Sequence, residues 1–111
     1  MAPILHIALY TFKSSLTATE IKESTKNMLL LKERCIHPET GKPYILSMVA
    51  GPNLVPDSPY AGGYTHALMM MFGSKADWLY YTKEDPAHTE FMRENKDWEG
   101  GCVIDIGGDE E

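Results

Sequence analysis

The sequence predicts one α+β domain, a four-stranded antiparallel sheet with helices on one face, in the order β-α-β-β-α-(α)-β. Three observations carry this expectation. Four apolar stretches have the length and pattern of strands. Two capping signals open helical patterns between them. Proline and glycine clusters at 38–43, 51–63, 85–86 and 100–101 separate the pieces. A chain of 111 residues has room for a single domain over 1–111 with one core.

Residues 5–12 alternate, with His6, Ala8, Tyr10 and Phe12 on one face and Leu5, Ile7, Leu9 and Thr11 on the other. This is the first strand. Thr17-Ala18-Thr19-Glu20 fits a capping box. Ile21, Met28, Leu31 and Cys35 then recur near helical spacing, so residues 18–34 read as one amphipathic helix. Lys32 and Arg34 suit its C-terminal dipole end. Residues 37–43 hold two prolines and a glycine and form a loop. Residues 44–50 are the second strand.

The Pro-rich loop 51–63 is long for a small domain, and such loops are lids, interface arms or plain connections. Gly62-Gly63 releases the chain into the third strand, through Phe72. His66, Leu68, Met70 and Phe72 share one face of it; Thr65, Ala67, Met69 and Met71 take the other. Both faces are largely apolar, as in a central strand. Ser74 and Asp77 open a helix through Tyr81, which Asp85-Pro86 interrupts. A short helix over 87–95 follows, carrying His88, Phe91 and Met92. Gly100-Gly101 breaks the chain again, and residues 102–106 are the last strand.

This order gives the ferredoxin-like arrangement, in which the first and third strands are central neighbours. Ile7, Leu9, Met69 and Met71 then lie on the sheet face away from the helices, bare in a single protomer. An apolar patch of that kind marks an interface, so we expect a homodimer with two sheets packed face to face.

Composition narrows the partners. The apolar fraction of 43% and charged fraction of 23% are those of an ordinary globular domain. A net charge of −6 argues against nucleic acid and against an anionic membrane surface. No stretch approaches the roughly 20 apolar residues of a membrane span, and the first residues do not resemble a signal peptide. Cys35 and Cys102 lack metal-ligand spacing and are expected to be reduced and buried. A cytoplasmic protein is the expectation. The acidic end, Asp109-Glu110-Glu111, is expected to fray.

Chemistry rests on four histidines. His6 and His66 share a sheet face with Tyr10, Leu68 and Met70, but antiparallel strands place them at opposite ends. His37 lies in the first Pro-rich loop and is expected to be solvated. His88 opens a short helix beside Tyr80 and Tyr81. An imidazole with a tyrosine hydroxyl in reach can act as base and as hydrogen-bond donor to a carbonyl. The plainer reading is that His88 caps its helix, and that His6 and His66 are hydrogen-bonded core residues. No two histidines stand at i, i+4 spacing, so no metal is expected. Gly62-Gly63 precedes a strand, which does not suit a phosphate loop. The three consecutive methionines read as adaptable core.

The chain resembles the stress-responsive dimeric α/β-barrel family across nearly its whole length. The matching pieces are His6 with residues 7–13, Gly51-Pro52-Asn53, Gly63-Tyr64-Thr65-His66-Ala67, Pro86-Ala87-His88 with Phe91, and Val103-Ile104-Asp105. The resemblance implies a ferredoxin-like protomer, a barrel-forming dimer and no cofactor. A plant member of the family closes a linear polyketide by aldol condensation, with a histidine base and an assisting tyrosine. By position the base corresponds to His88 and the tyrosine to Tyr81, with Tyr80 a competitor because the interval is one residue longer here. His6, His66 and Trp98 match residues lining that cyclase's pocket. Ser24 and Met28 stand where it has bulky aromatics, and Asp85 where it has a histidine. The resemblance thus implies a cyclase or lyase for a hydrophobic or phenolic, polyketide-like carbonyl compound, with Tyr10, Met28, Leu68, Met70 and Phe91 also around the substrate. The alternatives are a non-enzymatic stress-response dimer and a cofactor-free oxygenase of the wider dimeric-barrel group.

Overall fold

A computed structural model describes residues 3–107. The acidic end over 109–111 lies outside the described residues. The elements are β1 (Ile4–Phe12), α1 (Ala18–Leu29), α2 (Leu31–Arg34), β2 (Ile45–Pro52), β3 (His66–Phe72), α3 (Lys75–Lys83), α4 (Pro86–Glu94) and β4 (Trp98–Gly107). All strands pair antiparallel in the order β2-β3-β1-β4, so β1 and β3 are central, as expected.

The capping box forms as read: Thr17 accepts from the Glu20 N–H, and the Glu20 side chain returns to the Thr17 N–H. The single helix expected over 18–34 is two. At Leu30 the backbone tightens to an i→i−3 bond, its N–H donating to the Asn27 carbonyl at 3.2 Å. The short α2 then resumes from the Leu30 carbonyl, which accepts from Glu33 and Arg34.

Strand 2 starts one residue later and ends two later than expected, leaving Tyr44 just outside it. Strand 4 departs most, beginning at Trp98 and running through both glycines. A β-bulge sits between the Tyr10 and Phe12 pairings. Gly100 takes φ +83° there, and a Cβ on Gly101 would stand 2.9 Å from the Leu9 carbonyl oxygen. The glycines therefore permit the strand to bend against β1 instead of ending it.

The core fills the space between helices and sheet. Phe72, Met70, Leu68, Tyr10 and Ala8 point into it from the sheet, against Met28, Leu31 and Tyr81 from the helices. On the opposite face Ile7 pairs with Met69 and Leu5 with Met71, as the alternation required. That face also carries Val49, Ile104 and Ile106, each about half exposed.

Candidate active site

The α3–α4 corner brings together the residues with the most distinctive chemistry. Pro86 fixes the first turn of α4, and Asp85 caps it by accepting from the Ala87 N–H at 2.9 Å. His88 thereby stands one turn above the end of α3. Its Nδ1 lies 2.8 Å from the Tyr81 carbonyl oxygen. A carbonyl can only accept, so Nδ1 carries the hydrogen and Nε2 keeps its lone pair. The imidazole stacks on the Tyr81 ring at 3.9 Å between centroids, 18° from parallel. Burial lowers the His88 pKa, and the nearby His6 lowers it further; the Tyr81 carbonyl and Asp85 act the other way. Tyr81 is nearly inaccessible, and burial, reinforced by Cys35, Asp85 and Asp105, pushes its phenol well above the usual range. Its hydroxyl remains a donor.

β1 brings His6 to the same corner. The His6 and Tyr81 rings meet edge to face, 5.7 Å apart. The His6 Nδ1 sits 2.6 Å from Asp105 Oδ1, and the Trp78 indole N–H donates to that oxygen at 2.9 Å. Neither Asp105 nor Trp78 stood out as a site residue in the sequence. The signal for Asp105 was a carboxylate inside an apolar strand, on the alternation face that register sets opposite His6.

The other expected residues divide. Tyr80 faces away from His88 and joins His37 and Tyr44, with ring centroids 5.8 and 5.7 Å away. Of the two tyrosines, Tyr81 is thus the one against the imidazole. His37 is not the solvated residue expected: its side chain is 19% exposed, it lies 3.4 Å from Asp77, and its Nδ1 accepts from the Glu39 N–H. At the far end of β1, Tyr10 stacks on Trp98 at 3.9 Å and lies 5.9 Å from His66. His66 is held by Thr65 at 2.8 Å, and burial lowers its pKa. Tyr10 is fully buried, its pKa pushed up to about 12 by burial, and its hydroxyl is the one buried side-chain polar atom among the described residues without a hydrogen-bond partner. Met28, Leu68 and Met70 lie in the packed core. A cleft of about 310 Å³ opens between α1–α2 and α4; Leu31, Ala87 and Phe91 are among its apolar lining, and Ser24, Arg34 and Glu90 among its polar lining. Cys35 is buried as expected, but Cys102 is half-exposed on the outer sheet face.

Residues 4–105 match the Stress responsive A/B Barrel Domain. The chain belongs to that family. Its fold is shared with solved structures of a protein from Arabidopsis thaliana (TM-score 0.76, 26% identity, 94% of this chain and 93% of that one) and of a hydroxynitrile lyase from Passiflora edulis (0.75, 25%, 95% and 92%). A dimeric ferredoxin-like protein from Thermobifida fusca shares the barrel-family fold at 18% identity and TM-score 0.65, over 95% of this chain and 90% of that one. A Fusaristatin A biosynthesis cluster protein from Gibberella zeae (strain PH-1) is 52% identical over 53 residues, 48% of this chain. That match spans 37% of the fungal protein's length. Among the described residues of this barrel-family chain, no helix is long and apolar enough to cross a membrane.

Proposed function

We propose that the chain is a cofactor-independent cyclase or lyase for a small polyketide-like carbonyl compound, working as a homodimer. The observation that carries the reading is the His88–Tyr81 pair. The α3 carbonyl occupies Nδ1, so Nε2 is the basic nitrogen, and burial keeps it unprotonated near neutral pH. His88 Nε2 takes a proton from the carbon between two carbonyls. The Tyr81 hydroxyl donates to the enolate oxygen. The enolate carbon bonds to a distal carbonyl carbon, closing the ring, and the imidazolium returns its proton to the new alkoxide. A base of this kind contributes about 10²- to 10⁴-fold. His6 Nδ1 donates to Asp105, so its Nε2 offers a second lone pair at this corner.

Other observations support the reading. The helix–helix cleft is lined by Ala87, the residue before His88 in sequence, and its polar rim suits an oxygenated substrate better than a bare alkyl chain. The biosynthesis-cluster relative and the hydroxynitrile lyase are both consistent with small-molecule chemistry. The apolar outer sheet face and the dimeric fold relative support the homodimer.

The test is turnover of polyketide-type diketones by the wild type, His88→Ala and Tyr81→Phe. The reading requires that both variants lose most of the rate while remaining folded; unchanged turnover in both refutes it.

A further inference from the structure

Asp85 is 1% exposed, the most buried carboxylate among the described residues. Three groups reach it from three segments. Its Oδ1 accepts from the Ala87 N–H at the head of α4. Its Oδ2 accepts from the Tyr44 hydroxyl, at the entrance to β2. The Cys35 thiol, at the end of α2, is its neighbour: burial first, and then Asp85, push the Cys35 pKa up. Its backbone is fixed too: the Asp85 N–H donates to the Tyr80 carbonyl at 2.9 Å, and its own carbonyl accepts from Thr89.

A helix cap alone needs one of these bonds. The rest tie the first turn of α4 to the sheet entrance and to α3, three residues before His88. That turn sets where the imidazole lies over Tyr81. We propose that Asp85, latched by Tyr44, is a positioning residue for His88: it fixes the first turn of α4 and so holds the ring on Tyr81. This rests on the reading of His88 as the base, but it is measured without substrate. The titratable groups that reach His88 are Tyr81 from α3, His6 from β1 and Asp85 from its own helix.

The experiment follows the His88 ring protons by NMR across pH 4–9 in the wild type, Asp85→Asn, Asp85→Ala and Tyr44→Phe. Stacking on Tyr81 shifts those protons upfield through the ring current. Asp85→Asn keeps a capping oxygen and removes the carboxylate, so the upfield shift stays and the midpoint falls. Asp85→Ala loses the upfield shift. Tyr44→Phe frees the carboxylate and reduces the upfield shift while the protein stays folded. If Asp85→Ala does not fold, Asp85→Asn and Tyr44→Phe decide. A His88 midpoint and ring-current shift equal to wild type in both overturns the proposal and leaves Asp85 a helix cap. A positive result alongside an active His88→Ala enzyme would instead locate the failure in the proposed reaction.

Discussion

The imidazole of His88 is held to Tyr81 twice, by a bond from its Nδ1 to the Tyr81 carbonyl at 2.8 Å and by a stack of the two rings at 3.9 Å. The two contacts fix both the tilt of the ring and the tautomer. Nε2 is therefore directed and unprotonated before any ligand arrives, which is the preorganisation a general base needs.

His88→Ala should lower kcat on a turned-over diketone by about 10²- to 10⁴-fold. Tyr80→Phe should change it little, because Tyr80 packs with His37 and Tyr44 rather than against the imidazole. Steady-state kinetics on variants with wild-type circular dichroism checks both.

Burial lowers the pKa of both His88 and His66 below the unfolded value of about 6.5. The unfolded chain then binds protons first as the solution is acidified. The stability linked to each group is full above about pH 6.5 and is lost as pH falls through the folded pKa. Urea midpoints of the wild type should drop between pH 7 and 5. The drop should be smaller in His88→Gln and in His66→Gln, and equal slopes in all three would contradict the assignment.

Asp105→Ala should destabilise the fold by about 1–3 kcal/mol, because it strips an acceptor from both the His6 imidazole and the Trp78 indole N–H. Asp105→Asn, which keeps one carbonyl oxygen, should lose less. A His6→Ala/Asp105→Ala double-mutant cycle in urea should show coupling above the additivity error of about 0.5 kcal/mol.

Tyr10→Phe removes a buried hydroxyl that has no partner while preserving the stack on Trp98. The ligand-free protein should keep its melting temperature or gain a few degrees, since burying an unpaired hydroxyl costs about 1–3 kcal/mol. A loss of stability would mean that the hydroxyl is already bonded in solution.

Met69→Glu places a charge in the centre of the apolar outer face, where the side chain is 40% exposed in the protomer. Sedimentation velocity should show a dimer for the wild type and a monomer, or a dimer weakened by at least about tenfold, for the variant.

Alternation in β1 and β3 was enough to sort every residue of those strands between core and outer face, because a two-residue period leaves no third option. The same pattern reading stopped β4 at the two glycines. Glycine is a breaker by propensity, yet here its missing side chain admits the Leu9 carbonyl and lets the strand carry on to Trp98. The helix over 18–34 read as continuous because its apolar spacing is unbroken; the tightening at Leu30 is a backbone event with no side-chain signature.

At the corner, the histidines and tyrosines could be named from residue type and family likeness, while their partners could not. Asp105 meets His6 across 99 positions of sequence, and Tyr44 meets Asp85 across 41. Contacts of that separation depend on strand register and on where the α3–α4 corner lands, which local pattern does not encode. What the sequence alone determined was the layered fold and the two faces of the sheet, since periodicity, capping and turn chemistry are local. What only the tertiary structure decided was that Tyr81 rather than Tyr80 lies against His88, that His37 is packed rather than solvated, and that Asp85 is buried at the head of α4. Those depend on which side of a helix turns inward, and packing sets that.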